Sequence, residues 1–190
     1  NLAYKCFSNS KEIWQSEYHL AMMYEDPDEL KEIIRKVGEW RVEIAKFHAS
    51  LLDKNEIVLD MTAGLCIDTY YISKTVKEVT ALEINPITAS VSSFNMSNLT
   101  PNVNVINQDC IEFIKNTTNH YSSIFIDPAR RGENNKRLFG LYDCSPNILE
   151  LIPDLKKISN TLYIKASPML DITQSIRELS YNVTDIWILG

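Results

Sequence analysis

The sequence predicts an α/β fold in which a mostly parallel sheet carries helices on both faces and is preceded by a helical N-terminal segment. From residue 56 onward, short β-rich runs alternate with stretches of helical length, the pattern that builds parallel sheets through strand-helix-strand crossovers. Before that point, residues 10–52 carry the apolar period of helices instead. A composition that is 45% hydrophobic and 23% charged supplies one sizeable core and gives no sign of disorder.

Two N-terminal helices are expected. Ile13, Trp14, Tyr18 and Met22 are spaced for one face, and Leu30, Ile33, Ile34, Val37, Trp40, Ile44, Phe47 and Leu51 for another. Between them "DPDEL" supplies a helix start, with Pro27 and acids in the first turn. Strands are then predicted at 56–60, 78–83, 102–106, 122–127, 160–165 and 183–189, with helices over 86–98, 110–116, 147–157 and 170–179. Trp14, Trp40 and Trp187 fall on apolar faces and are expected in the core. The organisation read from this is a helical segment over 1–54 and an α/β domain over 55–190 that stops before its last strand. The chain begins without methionine and ends at "DIWILG", inside an expected strand, so the expectation is a piece of a longer protein. The one long irregular stretch, 128–146, has a length that in compact domains usually serves function.

Composition narrows the function. A net charge of −6 makes the domain as a whole repel a phosphate backbone, although the cluster Arg130, Arg131, Lys136 and Arg137 could act locally. Cys6, Cys66, Cys110 and Cys144 show no paired or histidine-linked spacing, so free thiols are expected, with no zinc site or disulfide framework. No apolar run has membrane-spanning length and the start lacks a leader's layout, so a cytoplasmic protein is expected. The three histidines have no partner at useful spacing.

In open parallel sheets, ligands bind beyond the carboxyl ends of the strands, near the point where strand order reverses. The first predicted strand ends at Asp60, the second at Glu83, the third is followed by Asp109, and the fourth ends at Asp127. Singly, each acid has a plainer role: Asp60 and Asp109 as helix caps, Glu83 as a solvated strand end. Four on one edge form a pattern. The turn after the first strand, Thr62-Ala63-Gly64-Leu65-Cys66, lacks the three glycines of a dinucleotide site, and no phosphate-binding Gly-Lys-Ser/Thr loop occurs. A nicotinamide-dependent oxidoreductase is therefore a minor rival. Strand-end acids suit a ligand with a positive end and no phosphate, and S-adenosylmethionine is one. Asp60 and the turn would meet its amino-acid end, Glu83 both ribose hydroxyls, and Asp109 the adenine amino group.

At these positions the chain resembles the class I S-adenosylmethionine-dependent methyltransferases, a Rossmann-like fold, through "VLDMTAGLCID", "ALEIN", "NQDC" and "IDPAR" in order. The resemblance implies cofactor contacts from Asp60, Thr62, Ala63, Gly64, Asp68, Glu83, Ile84, Asp109 and Cys110. Thr62 and Cys66 replace two of the usual glycines. A closer resemblance, through "DMTAGLCIDTYYIS", "IDPARR", "LYDCSPNILEL" and "IKASPMLDI", is to bacterial methyltransferases that carry a C-terminal THUMP-like domain. It implies an RNA substrate, recognised through a domain missing from this chain.

Asp127-Pro128-Ala129-Arg130 stands where amino-group methyltransferases carry an acid or amide, two prolines and an aromatic. In those enzymes the first residue and a backbone carbonyl accept from the target amino group and aim its lone pair. Here Arg130 replaces the aromatic, and its guanidinium plane can stack on a base. "IDPARRG" also resembles the corresponding motif of uracil-C5 methyltransferases, which need a later cysteine to activate the ring. At the matching place stands Lys165-Ala166-Ser167-Pro168, with no nucleophile at Ala166, and Cys144 is only a distant substitute. The expectation is methylation of a base nitrogen in RNA, with Asp127, Pro128 and Arg130 at the reaction and Arg130 and Arg131 holding substrate. Its rival is an inactive cofactor-binding scaffold for an appended RNA-binding domain.

Overall fold

In the computed structural model, residues 27–130, 140–166, 170–180 and 182–189 are described. The first expected N-terminal helix, Trp14 and the basic residues Arg131, Lys136 and Arg137 lie outside them. The second expected helix is α1 (Pro27–Ser50), which opens on a proline that has no amide to leave unpaired.

Strands β1 (Ile57–Asp60), β2 (Glu78–Glu83), β3 (Val103–Asn107) and β4 (Ser123–Ile126) follow, separated by α2 (Ile67–Ser73), α3 (Pro86–Leu99) and α4 (Cys110–Asn116). Two short strands, β5 (Ala129–Arg130) and β6 (Cys144–Ser145), precede α5 (Ile148–Ile158), β7 (Leu162–Ile164) and α6 (Ile172–Glu178). The main sheet is parallel throughout, in the order β3-β2-β1-β4-β7. β5 and β6 pair antiparallel, Ala129 opposite Ser145 and Arg130 opposite Cys144, so both ends of the long irregular stretch are tied together.

The chain steps one way from β1 to β3 and the other way through β4 to β7. Right-handed crossovers then place α2 and α3 on one face and α4 and α5 on the other. Strand alternation serves both faces. β4 sends Ile124 and Ile126 into a cluster with Leu59, Ile148, Leu151 and Leu155, and Phe125 into a second with Val58, Ile72 and Val79. Each fully buried side chain of this kind contributes roughly 1.5–3 kcal/mol. α1 packs along α2, so the N-terminal helix covers the same face.

One expected strand is absent. Residues 183–189 are irregular, and Trp187, expected in the core, is 47% exposed, touching Phe47 of α1 edge-on at 6.0 Å. The run "VTDIWIL" is rich in strand-forming residues, but a strand exists only where a neighbouring backbone accepts its hydrogen bonds. Among the described residues none does so. The cysteines Cys66, Cys110 and Cys144 are all buried. No helix among the described residues is long and apolar enough to cross a membrane.

Candidate functional site

Because the sheet is parallel, the ends of β1, β2, β4 and β7 open on one edge, above the point where strand order reverses between β1 and β4. An open groove of ≈ 1150 Å³ runs there, past Thr62, Gly64, Glu83, Asp127 and Lys165, and continues along the outer edge of β7.

The turn after β1 is built around Asp60, which is only 1% exposed. One of its carboxylate oxygens accepts from the Thr62 amide at 3.1 Å and the other from the Thr69 hydroxyl at 2.6 Å. Asp60 thus clamps the turn to the helix that follows it. The Ala63 amide donates to the Leu82 carbonyl of β2 at 3.0 Å, and the Ser92 hydroxyl of α3 donates to the Gly64 carbonyl at 2.8 Å. Gly64 adopts φ 54, and a Cβ added to it would meet nothing within 4 Å, so the turn's outer side is open space. Cys66 adopts φ 62 without being glycine, and its thiol is wholly buried. Burial, followed by the charge of Asp60, pushes the Cys66 thiol up to about 11. Thr62, the other departure from the glycine pattern, has a positive use. Its hydroxyl accepts from the Asp127 amide at 2.8 Å and so joins the turn after β1 to the motif after β4.

Asp127 and Pro128 line the groove directly after β4. Lys165, directly after β7, reaches back with its ammonium 3.5 Å from the Asp127 carboxylate and 2.8 Å from that of Asp68. Asp68, in the first turn of α2, also meets His48 Nδ1 at 3.3 Å, and the His48 ring rests on Phe125 with centroids 5.0 Å apart. Burial acts to raise the Asp68 carboxyl, but the His48 hydrogen bond and the Lys165 charge more than offset it and hold the group below the usual carboxylate range. For Lys165, burial acts downward and is outweighed by the charges of Asp127 and Asp68, which raise it. It is an ammonium at neutral pH and no amine nucleophile.

On the other side of the groove, Glu83 ends β2 and accepts from the Asn85 amide through one carboxylate oxygen at 2.7 Å. Beside it Ile84 is 66% exposed, an apolar surface at the strand tip. Asp109 caps α4, accepting from the Ile111 amide at 2.7 Å, and Cys110 is buried beneath it; neither lines the groove. Arg130 lies on β5, and Arg131 falls outside the described residues. The edge thus brings together Asp60, Thr62, Ala63, Gly64, Asp68, Glu83, Asp127 and Pro128.

Two members of the site were missed in the sequence. Lys165 is the last residue of the strand predicted at 160–165, so the strand-end rule that picked out the acids would also have found it. His48 carried no signal, because it meets Asp68 only through the packing of α1 on α2.

The model of the family described as ribosomal RNA adenine dimethylase matches residues 32–139. An uncharacterized RNA methyltransferase of Mycoplasma mobile is 32% identical over 109 residues, covering 57% of this chain and 27% of that protein. A crystal structure from Porphyromonas gingivalis W83, named a "putative methyltransferase", superimposes with a TM-score of 0.65 at 26% identity over 72% of this chain and 34% of that one. An rRNA methylase from Streptococcus thermophilus shares the fold, with a TM-score of 0.51 at 17% identity over 76% of this chain and 82% of that one. The chain therefore spans about a quarter of the curated relative and about a third of the Porphyromonas protein.

Proposed function

The chain belongs to the ribosomal RNA adenine dimethylase family, and on that premise we propose that it binds S-adenosylmethionine in the groove and methylates an exocyclic base nitrogen of RNA. The observation that carries this is the Thr62–Asp127 hydrogen bond, which puts the turn suited to the cofactor and the motif suited to the acceptor in direct contact. The amino group of adenine, the base named in the family's description, is the first candidate acceptor.

The residues present fit the cofactor. Glu83 keeps a carboxylate oxygen that accepts no backbone amide, available to the ribose hydroxyls, and exposed Ile84 offers an apolar surface to the adenine. Open space at Gly64 admits the amino-acid end, with Thr62 and Ala63 beside it. We assign Asp60 an indirect part, since both its oxygens already hold the turn. Asp109 and Cys110 would act at the margin, through the cap of α4. When bound, S-adenosylmethionine supplies an activated methyl group on a sulfonium.

Asp127, with Pro128 setting the backbone after it, accepts from the substrate amino group and aims the nitrogen lone pair. Positioning of this kind can supply most of the barrier reduction when the donor is already activated. Arg130 and Arg131 hold the base or its phosphate. RNA is recruited mainly by a THUMP-like domain beyond these residues, a reading supported by the net charge of −6, which gives the domain little phosphate affinity of its own. We read residues 1–54 as a helical segment and 55–190 as the cofactor-binding domain, a division supported by α1 and its packing on α2.

Calorimetry with S-adenosylhomocysteine tests the cofactor claim, with NADH as control. Wild type should bind the first and ignore the second, and Glu83→Ala should weaken binding about 100-fold, through loss of charge-assisted bonds worth roughly 1.5–3 kcal/mol. Asp127→Ala should leave affinity within a few-fold while abolishing methyl transfer to RNA. Binding without transfer to any RNA, by the whole protein, would instead favour an inactive scaffold.

A further inference from the structure

Lys165 stands between two carboxylates and faces a groove that should receive RNA. Its charge could serve a substrate phosphate, but the geometry directs it elsewhere. The ammonium meets Asp68 at 2.8 Å and Asp127 at 3.5 Å, and the three side chains are mostly buried. A cation already shared by two acids has little attraction left for a third anion. The acids, in turn, would repel each other across the groove if the ammonium were removed.

The arrangement has a direction. Asp68 is fixed by α2 and by His48, whose ring is seated on Phe125 of β4. Lys165 rises from the end of β7, next to β4, and spans from that fixed point to Asp127. The Asp127 backbone is already held by Thr62. A fixed backbone still lets the Asp127 carboxylate rotate, and Lys165 contacts one of its two oxygens. An ion pair at one oxygen fixes how the whole carboxylate is turned, and with it the direction from which it accepts a substrate amino group.

We propose that Lys165 is a positioning residue for methyl transfer: anchored on Asp68 and through it on His48, it fixes the Asp127 carboxylate in its accepting orientation. The inference rests on the nitrogen-methylation reading given above. It also accounts for the lysine where a uracil-C5 enzyme would place its cysteine motif, since the site gains an orienting cation in place of a nucleophile.

The test uses the whole protein, S-adenosylhomocysteine calorimetry, and transfer of labelled methyl groups to unmodified transcripts of bacterial ribosomal and transfer RNA. Lys165→Met should keep cofactor affinity within about threefold and lower kcat about 100-fold, with KM for the accepting transcript changed only a few-fold. Lys165→Arg should restore at least a tenth of the lost rate. Asp68→Asn should lower kcat about tenfold, because the ammonium loses its anchor. An unchanged kcat in Lys165→Met, a rise in KM alone, or joint loss of cofactor binding and folding would overturn the proposal in favour of no role, a phosphate contact, or a structural role respectively. If wild type transfers no methyl group to any transcript, the function reading fails by itself. The positioning claim is then decided by nitrogen–proton NMR of the Lys165 ammonium, whose signal should move in Asp127→Asn if the two groups are paired and stay in place if they are not.

Discussion

Cys66 occupies a left-handed backbone position, φ 62, at the entry to α2, with its thiol packed against Ala81 and Met96. Such a conformation costs a non-glycine residue about 1–2 kcal/mol, and the buried thiol returns a similar amount through packing. Cys66→Gly should therefore leave the urea midpoint nearly unchanged, whereas Cys66→Val, branched at Cβ, should lose at least about 2 kcal/mol. Titration gives a second readout. The thiol is raised from 9.0 to about 11, so the stability gained by burying it neutral is complete below pH 9 and is lost as pH climbs toward 11. Two units correspond to about 3 kcal/mol. Urea unfolding at pH 8 and pH 10 should thus show a steeper alkaline loss for wild type than for Cys66→Gly. In the same fold Thr62 and Cys66 show what a sequence pattern misses. The missing glycines read only as departures from the pattern, yet Thr62 supplies the hydroxyl that ties two loops together, and Cys66 fills space a glycine would leave empty.

Between elements, the junction of α2 with the sheet depends on Asn102, just before β3. Its side-chain amide donates to the Ser73 carbonyl at 2.9 Å and the Val76 carbonyl at 3.1 Å, satisfying groups at the end of α2 that the helix cannot satisfy itself. Asn102→Ala should cost about 1–3 kcal/mol, seen as a lower melting temperature, while S-adenosylhomocysteine affinity stays within about twofold because the groove lies at the opposite edge. Elements with strong local signals were legible in the sequence. Asn85 accepts from the Ile87 and Thr88 amides before Pro86 starts α3, and Asp109 caps α4, both within a residue of the expected starts. Five of the six expected strands form because each finds a partner. The two-residue pairing of β5 with β6 is too short to leave a period. Residues 183–189 fail for the opposite reason, a clear local pattern that finds no neighbour to pair with among the described residues. The placing of Asp60, Glu83 and Asp127 on one edge was legible from strand ends, whereas Asp68 lies in α2 and its contact with His48 depends on helix packing, which no single stretch encodes.

For the molecule as a whole, a ligand that binds only the folded state raises stability by mass action. S-adenosylhomocysteine at about 100 times its Kd would add roughly 2.7 kcal/mol, and a chain of this size should melt about 5–10 °C higher. NADH at the same concentration should shift nothing, and Glu83→Ala should show a much smaller rise. The same architecture has a consequence in time. Ile57 finds Glu78 across one short crossover, and Val79 finds Val103 across the next, while Val58 must wait for Ser123 and Ile124 for Leu162. Longer loops close more slowly, and a chain made from its N-terminus releases β1, β2 and β3 before β4 exists. The wing carrying Gly64 and Glu83 can therefore assemble first, and Asp127 and Lys165 arrive last to complete the groove.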